Sequence, residues 1–263
     1  MRKYLFIFKA TLIENFQYVL NIILRFITFF IILFVLMNLW KYMYSETNGL
    51  ISGYSLVQMV WYVILTEIIG FGCSSSTLTT QMSTDIKSGA IAYSINKPYH
   101  YIFYIIAKYL GETVINFTLF FAAGMIIGYA FIGGIPNFYL YQLPFTFLAF
   151  FLGIMINAFF HMGISTLSFW IEDSTPFQWV YNKIIIILGI IFPVEMFPAW
   201  AQPVIKLSPI YVVTYGPAKL MIDFNFKTAY HVLAVQILYF IITLFLVLGL
   251  YQKGVKKLNV NGG

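Results

Sequence analysis

Long apolar runs separated by short polar turns recur along the whole chain. About 20 helical residues, at ~1.5 Å each, cover the ~30 Å hydrocarbon core of a bilayer. We therefore predict an all-α polytopic membrane protein with six transmembrane helices in a single transmembrane domain over residues 1–263. The predicted spans are Phe26–Tyr44, Ser55–Thr79, Leu110–Ile132, Tyr141–Trp170, Trp179–Phe197 and Ala229–Tyr251.

Residues 1 to about 22 have a different pattern, in which apolar and polar side chains separate onto opposite faces of a helix. The apolar face holds Leu5, Phe8, Leu12, Phe16 and Val19, and the polar face holds Lys3, Glu14, Gln17 and Asn21. Such a helix lies along a membrane surface, so we predict an N-terminal interfacial amphipathic helix. Polar residues within this stretch also interrupt the apolar core of a cleavable signal peptide, and we expect the amino terminus to be retained.

The segment between the fifth and sixth predicted spans is apolar but rich in proline, which excludes one continuous helix. Because apolar residues fill the gaps between the prolines, a solvated loop does not fit either. We predict a re-entrant pair of short helices at the membrane edge, with Trp200, Tyr211 and Tyr215 at the interface. The candidate residues of this segment are Pro193, Pro198, Trp200, Pro209, Tyr215 and Pro217.

Composition supports a membrane protein, because 61% of the 263 residues are hydrophobic and only 9% are charged. The net charge of +6 comes from lysines and arginines that flank the apolar runs, so it sets orientation and does not indicate a nucleic-acid partner. With the amino terminus inside, eleven of the 15 lysines and arginines fall on the inner side. This bias predicts that both termini are cytoplasmic.

The sequence lacks the motifs of nucleotide binding, metal binding and catalysis. The chain has no G-x-x-x-x-G-K-[ST] sequence for holding ATP phosphates, so any ATP must be hydrolysed on another chain. The chain has three histidines but no H-E-x-x-H motif, and it has a single cysteine, Cys73. We therefore predict neither a metal site nor a catalytic site. We therefore expect no enzyme activity and no cofactor in this chain.

The inner loop between predicted spans two and three carries alternating charged and apolar residues. Spacing alone leaves two alternatives open: a short helix that docks on a partner with its apolar face, or a solvated loop that turns the chain. The candidate residues are Asp85, Ile86, Lys87, Gly89, Ile91, Lys97 and Pro98.

The stretches Asp85–Ala92 and Ile95–Pro98 resemble the cytoplasmic signature of type-2 ATP-binding-cassette (ABC) exporter permeases, in the bacterial subfamily with separate ATPase subunits. That subfamily usually has arginine at two places where this chain has Lys87 and Lys97, which keeps the charge but loses bidentate bonding. The resemblance extends over Trp40–Tyr44, Ile51–Ser55, Phe192–Trp200 and Gly249–Gly254.

The resemblance implies a permease in the cytoplasmic membrane of a bacterium that exports a substrate, amphipathic or hydrophobic in view of the aromatic spans. It implies as partners two ABC ATPase subunits, which carry ATP and Mg²⁺, and a second permease, identical or homologous. It further implies that Asp85 to Lys97 form a coupling helix that sits in a groove of the ATPase. The alternative function is a stand-alone secondary transporter or channel, which should show inverted repeats or several intramembrane charges.

Glu67 is the deepest acidic residue of the predicted spans, and Asn157 lies at a similar depth. An ionisable group there is costly, so both are candidates for a substrate pathway. The alternative is a structural glutamate, either protonated or bonded to Asn157. Gly124 and Gly128 form a G-x-x-x-G pattern that predicts close helix packing, and the hydroxyl run Cys73–Thr80 predicts packing or a pathway lining.

Overall fold

The computed structural model describes residues 2–15, 17, 19–47, 49–73, 77–209 and 211–261, and over them the fold is all-helical. Eleven α-helices occur in this part of the chain, joined by short 3₁₀ and π segments and without a β-strand. They are α1 Arg2–Asn15, α2 Val19–Ser45, α3 Leu56–Gly72, α4 Met82–Lys87, α5 Ile91–Ile95, α6 Tyr101–Phe131, α7 Leu143–Thr166, α8 Thr175–Ile185, α9 Gln202–Lys206, α10 Gly216–Ile222 and α11 Phe226–Asn261.

Four helical stretches in the described residues are long and apolar enough to cross a membrane. They correspond to the first, third, fourth and sixth predicted spans and run over Val19–Ser45, Tyr101–Phe131, Leu140–Phe169 and Phe226–Lys257. The fifth prediction corresponds to Thr175–Ile191, an apolar helix of 17 residues. Helix length alone therefore supports an all-helical membrane protein with at least four spans.

The second predicted span, Ser55–Thr79, is not one straight helix. It divides into Leu56–Gly72 and Thr77–Lys87, whose directions differ by 47°. An apolar run in the sequence indicates a membrane span but does not show where the helix axis changes direction. Ser74, Ser75 and Ser76 of the predicted hydroxyl run lie outside the described residues.

The predicted amphipathic helix over residues 1 to 22 is too long. α1 ends at Asn15, whose side-chain amide donates to the Thr11 carbonyl (3.0 Å), and α2 already begins at Val19. The face of α1 with Phe8 and Thr11 packs against α6 at Gly111, where a Cβ atom would lie only 2.8 Å from the Phe8 carbonyl oxygen. Of the predicted apolar face, Phe8 and Leu12 are half-buried, Leu5 and Val19 are exposed, and Phe16 lies outside the described residues.

α3 forms the centre of the bundle, and every residue from Met59 to Ile69 is buried. It begins with a capping box in which Ser55 and Gln58 exchange side-chain and backbone hydrogen bonds. Gly124 and Gly128 of α6 pack directly on α3, where added Cβ atoms would meet Ile68 and Trp61. The G-x-x-x-G pattern is therefore a helix-packing contact, as predicted.

The proline-rich segment forms several short pieces: a 3₁₀ turn at Val194–Met196, α9, a π segment at Tyr211–Tyr215, and α10. Pro203 and Pro217 lie in the first turns of α9 and α10, where a missing backbone N–H removes no helical bond. Of the three aromatic residues predicted at the interface, Trp200 is 79% exposed, and Tyr211 and Tyr215 are buried within the protein.

Candidate functional site

The bundle has two distinct polar ends, and the loop between α3 and α6 lies at the end that we call the Lys87 end. α4 leads to Gly89, whose φ of +74° is a conformation that a side chain disfavours, and the chain then enters the five-residue helix α5. Tyr93 on α5 is 79% exposed and Ile95 is 36% exposed. The sequence interpretation passed over Tyr93, although an exposed tyrosine is a typical anchor for a protein partner.

Side-chain bonds hold this loop in place. Asp85 accepts a hydrogen bond from the Tyr101 hydroxyl (2.8 Å), and Lys87 forms an ion pair of 2.7 Å with Asp173 in the loop before α8. Lys3 of α1 donates to the carbonyl of Pro98. The loop is thus tied to α6, to the start of α8 and to α1.

The Lys87–Asp173 pair has a clear electrostatic signature. The Lys87 ammonium, together with hydrogen bonds from Thr175, lowers the pKa of Asp173 from 3.8 to about 2. Asp173 accepts from both the Thr175 backbone N–H (3.1 Å) and its hydroxyl (2.8 Å). Lys87 therefore connects two loops of the same chain.

The remaining candidates of the loop divide into two groups by burial. Ile86 and Ile91 are 4% and 0% exposed and pack into the protein's own core, so neither offers a surface to a partner. Lys97 and Pro98 are exposed, Gly89 is half-buried, and the Lys97 ammonium lies 5.8 Å from the centre of the Tyr99 ring. The surface available for docking, which we call the α5 face, comprises Ala92, Tyr93, Ile95, Asn96, Lys97 and Pro98.

A partly open cavity of about 830 Å³, which we call the central cavity, is lined by both pathway candidates, Glu67 and Asn157. This central cavity is bounded by α2, α3, α7 and the stretch from Asn182 to Ile191. Its walls are mainly branched aliphatic side chains: Ile31, Ile32, Val35, Ile185, Ile186, Ile190 and Ile191. A cavity of this size and composition suits a drug-sized, largely apolar molecule.

Glu67 is 7% exposed, and its side chain forms no hydrogen bond or ion pair with any described residue. No bond between Glu67 and Asn157 is present among the described residues, and the Asn157 side-chain oxygen accepts from the Tyr181 hydroxyl (3.0 Å). His161, also on the cavity wall, has its Nδ1 2.6 Å from the side-chain oxygen of Gln178. The cavity therefore contains one buried carboxylate without a protein partner among the described residues.

Arg25 lies where the central cavity meets a second cavity of about 540 Å³. Its guanidinium donates to the Phe71 carbonyl and lies 5.3 Å from the centre of the Phe120 ring. The second cavity is polar, and its lining includes Glu14, Asn21, Thr77, Gln81, Lys108, Glu112 and Asn116.

At the opposite end of the bundle, which we call the Glu195 end, a polar network joins the proline-rich segment to the start of α3. Glu195 accepts hydrogen bonds from the hydroxyls of Tyr54 (3.0 Å) and Tyr215, and the Lys219 ammonium lies 3.7 Å away. Lys219 also pairs with Asp223 at 2.8 Å. Burial and the Glu195 charge raise the pKa of Tyr54, which keeps its hydroxyl protonated as a donor.

The sequence interpretation named the prolines around Glu195 and the partner Tyr215 but missed Glu195 and Lys219. Pro193 directly precedes the 3₁₀ turn that carries Glu195, and Pro217 begins the helix that carries Lys219. Pro198 and Pro209 lie between these elements. The presence of an acid, Glu195, and a base, Lys219, in the same apolar, proline-rich segment could have indicated this ion pair.

The described residues contain no group of three or more His, Cys, Asp or Glu side chains that could hold a metal ion. What the geometry offers is a mainly apolar cavity for a ligand and an exposed short helix for a partner.

Residues 29–262 match the family model described as ABC-2 family transporter protein. The matched stretch includes the α5 face, the Glu195 network and the described lining of the central cavity except Arg25. A comparison with curated proteins finds no match.

Proposed function

This chain belongs to the ABC-2 family of transporter proteins, and we propose that it is the permease subunit of an ABC exporter. It moves an amphipathic or hydrophobic substrate across the cytoplasmic membrane of a bacterium. Two separate ATPase subunits bind ATP and Mg²⁺ and supply the energy, and a second permease, identical or homologous, completes the transporter. Family membership does not favour the alternative of a stand-alone carrier or channel.

The proposal includes six spans and cytoplasmic termini. Four helices are long enough to cross a membrane, and the bent pair over Leu56–Gly72 and Thr77–Lys87 would make a fifth span. In this proposal the 17-residue helix Thr175–Ile191 is the sixth. With an inner amino terminus, the Lys87 end faces the cytoplasm, and most lysines and arginines lie on that side, as the positive-inside rule requires.

The observation that carries the proposal is the α5 face. It presents Tyr93, 79% exposed, and Ile95 beside the cation Lys97, and a surface tyrosine next to an apolar residue is suited to a partner's groove. Ile91, the first residue of α5, is fully buried and fixes the short helix to the bundle.

The same contacts supply a route from α5 to the central cavity. Ile86 of α4 packs in the core, and α4 continues through Thr77–Gln81 towards α3, which carries Glu67. Lys87 links the loop to Asp173, just before the helix that bounds the cavity at Asn182 to Ile191. A force that the ATPase dimer exerts on α5 would therefore reach both walls of the cavity.

Affinity purification tests the partnership. The tagged chain, expressed in its own host and purified in mild detergent, should recover an ABC ATPase that mass spectrometry identifies by its nucleotide-binding motif. Tyr93→Asp places a charge at the centre of the α5 face, and we expect it to lower the recovered ATPase at least tenfold. Lys97→Ala should have a smaller effect in the same direction.

Leu50→Asp is the matched control, because Leu50 is 68% exposed in the loop between α2 and α3, far from the Lys87 end. It should recover as much ATPase as the unsubstituted chain. Equal recovery with Tyr93→Asp and Leu50→Asp would refute docking through α5, and recovery of no ATPase by the unsubstituted chain would refute the exporter assignment.

A further inference from the structure

Glu67 stands out among the acidic residues because it is buried, lines a cavity and has no partner among the described residues. A buried carboxylate that is neither paired nor hydrogen-bonded is costly to ionise, and such groups in membrane helices commonly mark a functional site. Replacing Glu67 by an apolar residue would remove this cost, so the fold gains nothing visible from its charge.

Three other polar residues of the central cavity have partners of their own. Asn157 accepts from Tyr181, His161 lies 2.6 Å from Gln178, and Arg25 donates to the Phe71 carbonyl. Arg25, the other fully charged side chain on the wall, forms no ion pair with Glu67 in the described part of the chain. Glu67 is the single acidic residue of the described lining, so its carboxylate is available to a ligand.

We propose that the central cavity binds a hydrophobic cation, whose positive centre pairs with the Glu67 carboxylate and whose apolar body contacts the isoleucine walls. This inference rests on the proposed export function and names the chemical class of its substrate. The bound cation would supply the partner that the protein does not, and in a low-dielectric cavity that attraction is strong. A neutral molecule of the same shape would gain the apolar contacts alone.

A matched pair of ligands measures the contribution of charge. Methyltriphenylphosphonium and triphenylphosphine oxide have the same three phenyl rings on phosphorus, but the first is a permanent cation and the second is neutral. Their binding to the full-length chain in lipid nanodiscs can be followed with radiolabelled ligand and corrected with protein-free nanodiscs. We expect the cation to bind at least tenfold more tightly than the oxide.

Glu67→Gln keeps the shape of the side chain and removes its charge. We expect it to weaken cation binding at least tenfold and to leave oxide binding within about twofold. Glu46→Gln is the matched control, since it removes the same charge from an exposed position after α2 and should change neither affinity. Ile190→Trp should weaken both ligands, because it fills the cavity.

Three outcomes would overturn the inference: equal binding of the two ligands to the unsubstituted chain, full cation binding by Glu67→Gln, or no saturable binding of either. Because the assay needs no ATPase, its failure is separate from failure of the exporter assignment. A chain that recovers its ATPase through α5 but does not distinguish the two ligands would refute the cation site alone.

Discussion

Glu67 and Glu195 are both acids on apolar helical segments, yet their surroundings differ completely. Glu195 has a 30% exposed side chain and is bonded to Tyr54 and Tyr215, with the Lys219 ammonium within 4 Å. Glu67 is only 7% exposed and has none of these partners in the described residues. The less accessible carboxylate is therefore the one without bonds.

The difference separates a structural acid from a functional one. Fully bonded polar networks rigidify the elements that they join, and the Glu195 network connects the start of α3 with α10. An unbonded buried acid stabilises nothing in the empty protein, so its presence needs another reason. The cavity beside Glu67 offers that reason, because a ligand there could provide the missing partner.

The largest expected effect comes from Glu195→Ala. It leaves two tyrosine hydroxyls without their acceptor and removes one of the two anions beside Lys219, so we expect the free energy of unfolding to fall by about 3 kcal/mol. Tyr215→Phe, which removes one of these bonds, should cost about 1 kcal/mol. Unfolding in mixed detergent micelles measures both. A loss below about 0.5 kcal/mol with Glu195→Ala would show that the network does not stabilise the Glu195 end.

Glu67→Leu should act in the opposite direction. Removing an unbonded buried polar group should raise the free energy of unfolding by roughly 1 kcal/mol, provided that the leucine fits the cavity wall. The same unfolding assay applies, and methyltriphenylphosphonium binding should be lost. A destabilisation of about 2 kcal/mol or more would mean that Glu67 has a structural role, and the contrast with Glu195 would then disappear.

The sequence predicted that Glu67 lies within an apolar helix but did not predict its cavity. Depth follows from position along one apolar helix, which is local information. The cavity depends on how α2, α7 and the residues 182–191 converge around α3, and no local pattern encodes that arrangement. Likewise, Tyr54 and Glu195 are 141 positions apart in the sequence, so neither local segment could predict their hydrogen bond.

Features that depend on neighbouring residues were predicted best. Gly124 and Gly128 are four residues apart and therefore share one face of α6. Because glycine has no Cβ atom, this spacing predicted the close contact with α3. The end of α1 was missed, since the apolar pattern continues past Asn15 while the chain turns there. The bend after Gly72 was missed for the same reason: apolar residues continue on both sides of it.

Asp173 provides a third carboxylate, which is paired like Glu195 but exposed to solvent, and the smallest effect is expected there. Lys87 and Thr175 lower its pKa to about 2 from 3.8, so the ionised form is favoured in the folded protein. A depressed folded-state pKa means that the contribution to stability is present above pH ~4 and is lost as the pH falls towards 2. Because the pair is exposed and screened by solvent, we expect only a small change in unfolding.

Carbon-13 NMR of labelled aspartate can follow this titration directly, because the chain has only three aspartates, Asp85, Asp173 and Asp223. Asp173→Asn identifies the signal. Lys87→Met should raise the pKa of Asp173 from about 2 towards 3.8 but not all the way, since the two hydrogen bonds from Thr175 remain. A pKa unchanged by Lys87→Met would mean that Lys87 does not pair with Asp173 in the membrane and is free for the ATPase, which would remove the link between the α5 loop and α8.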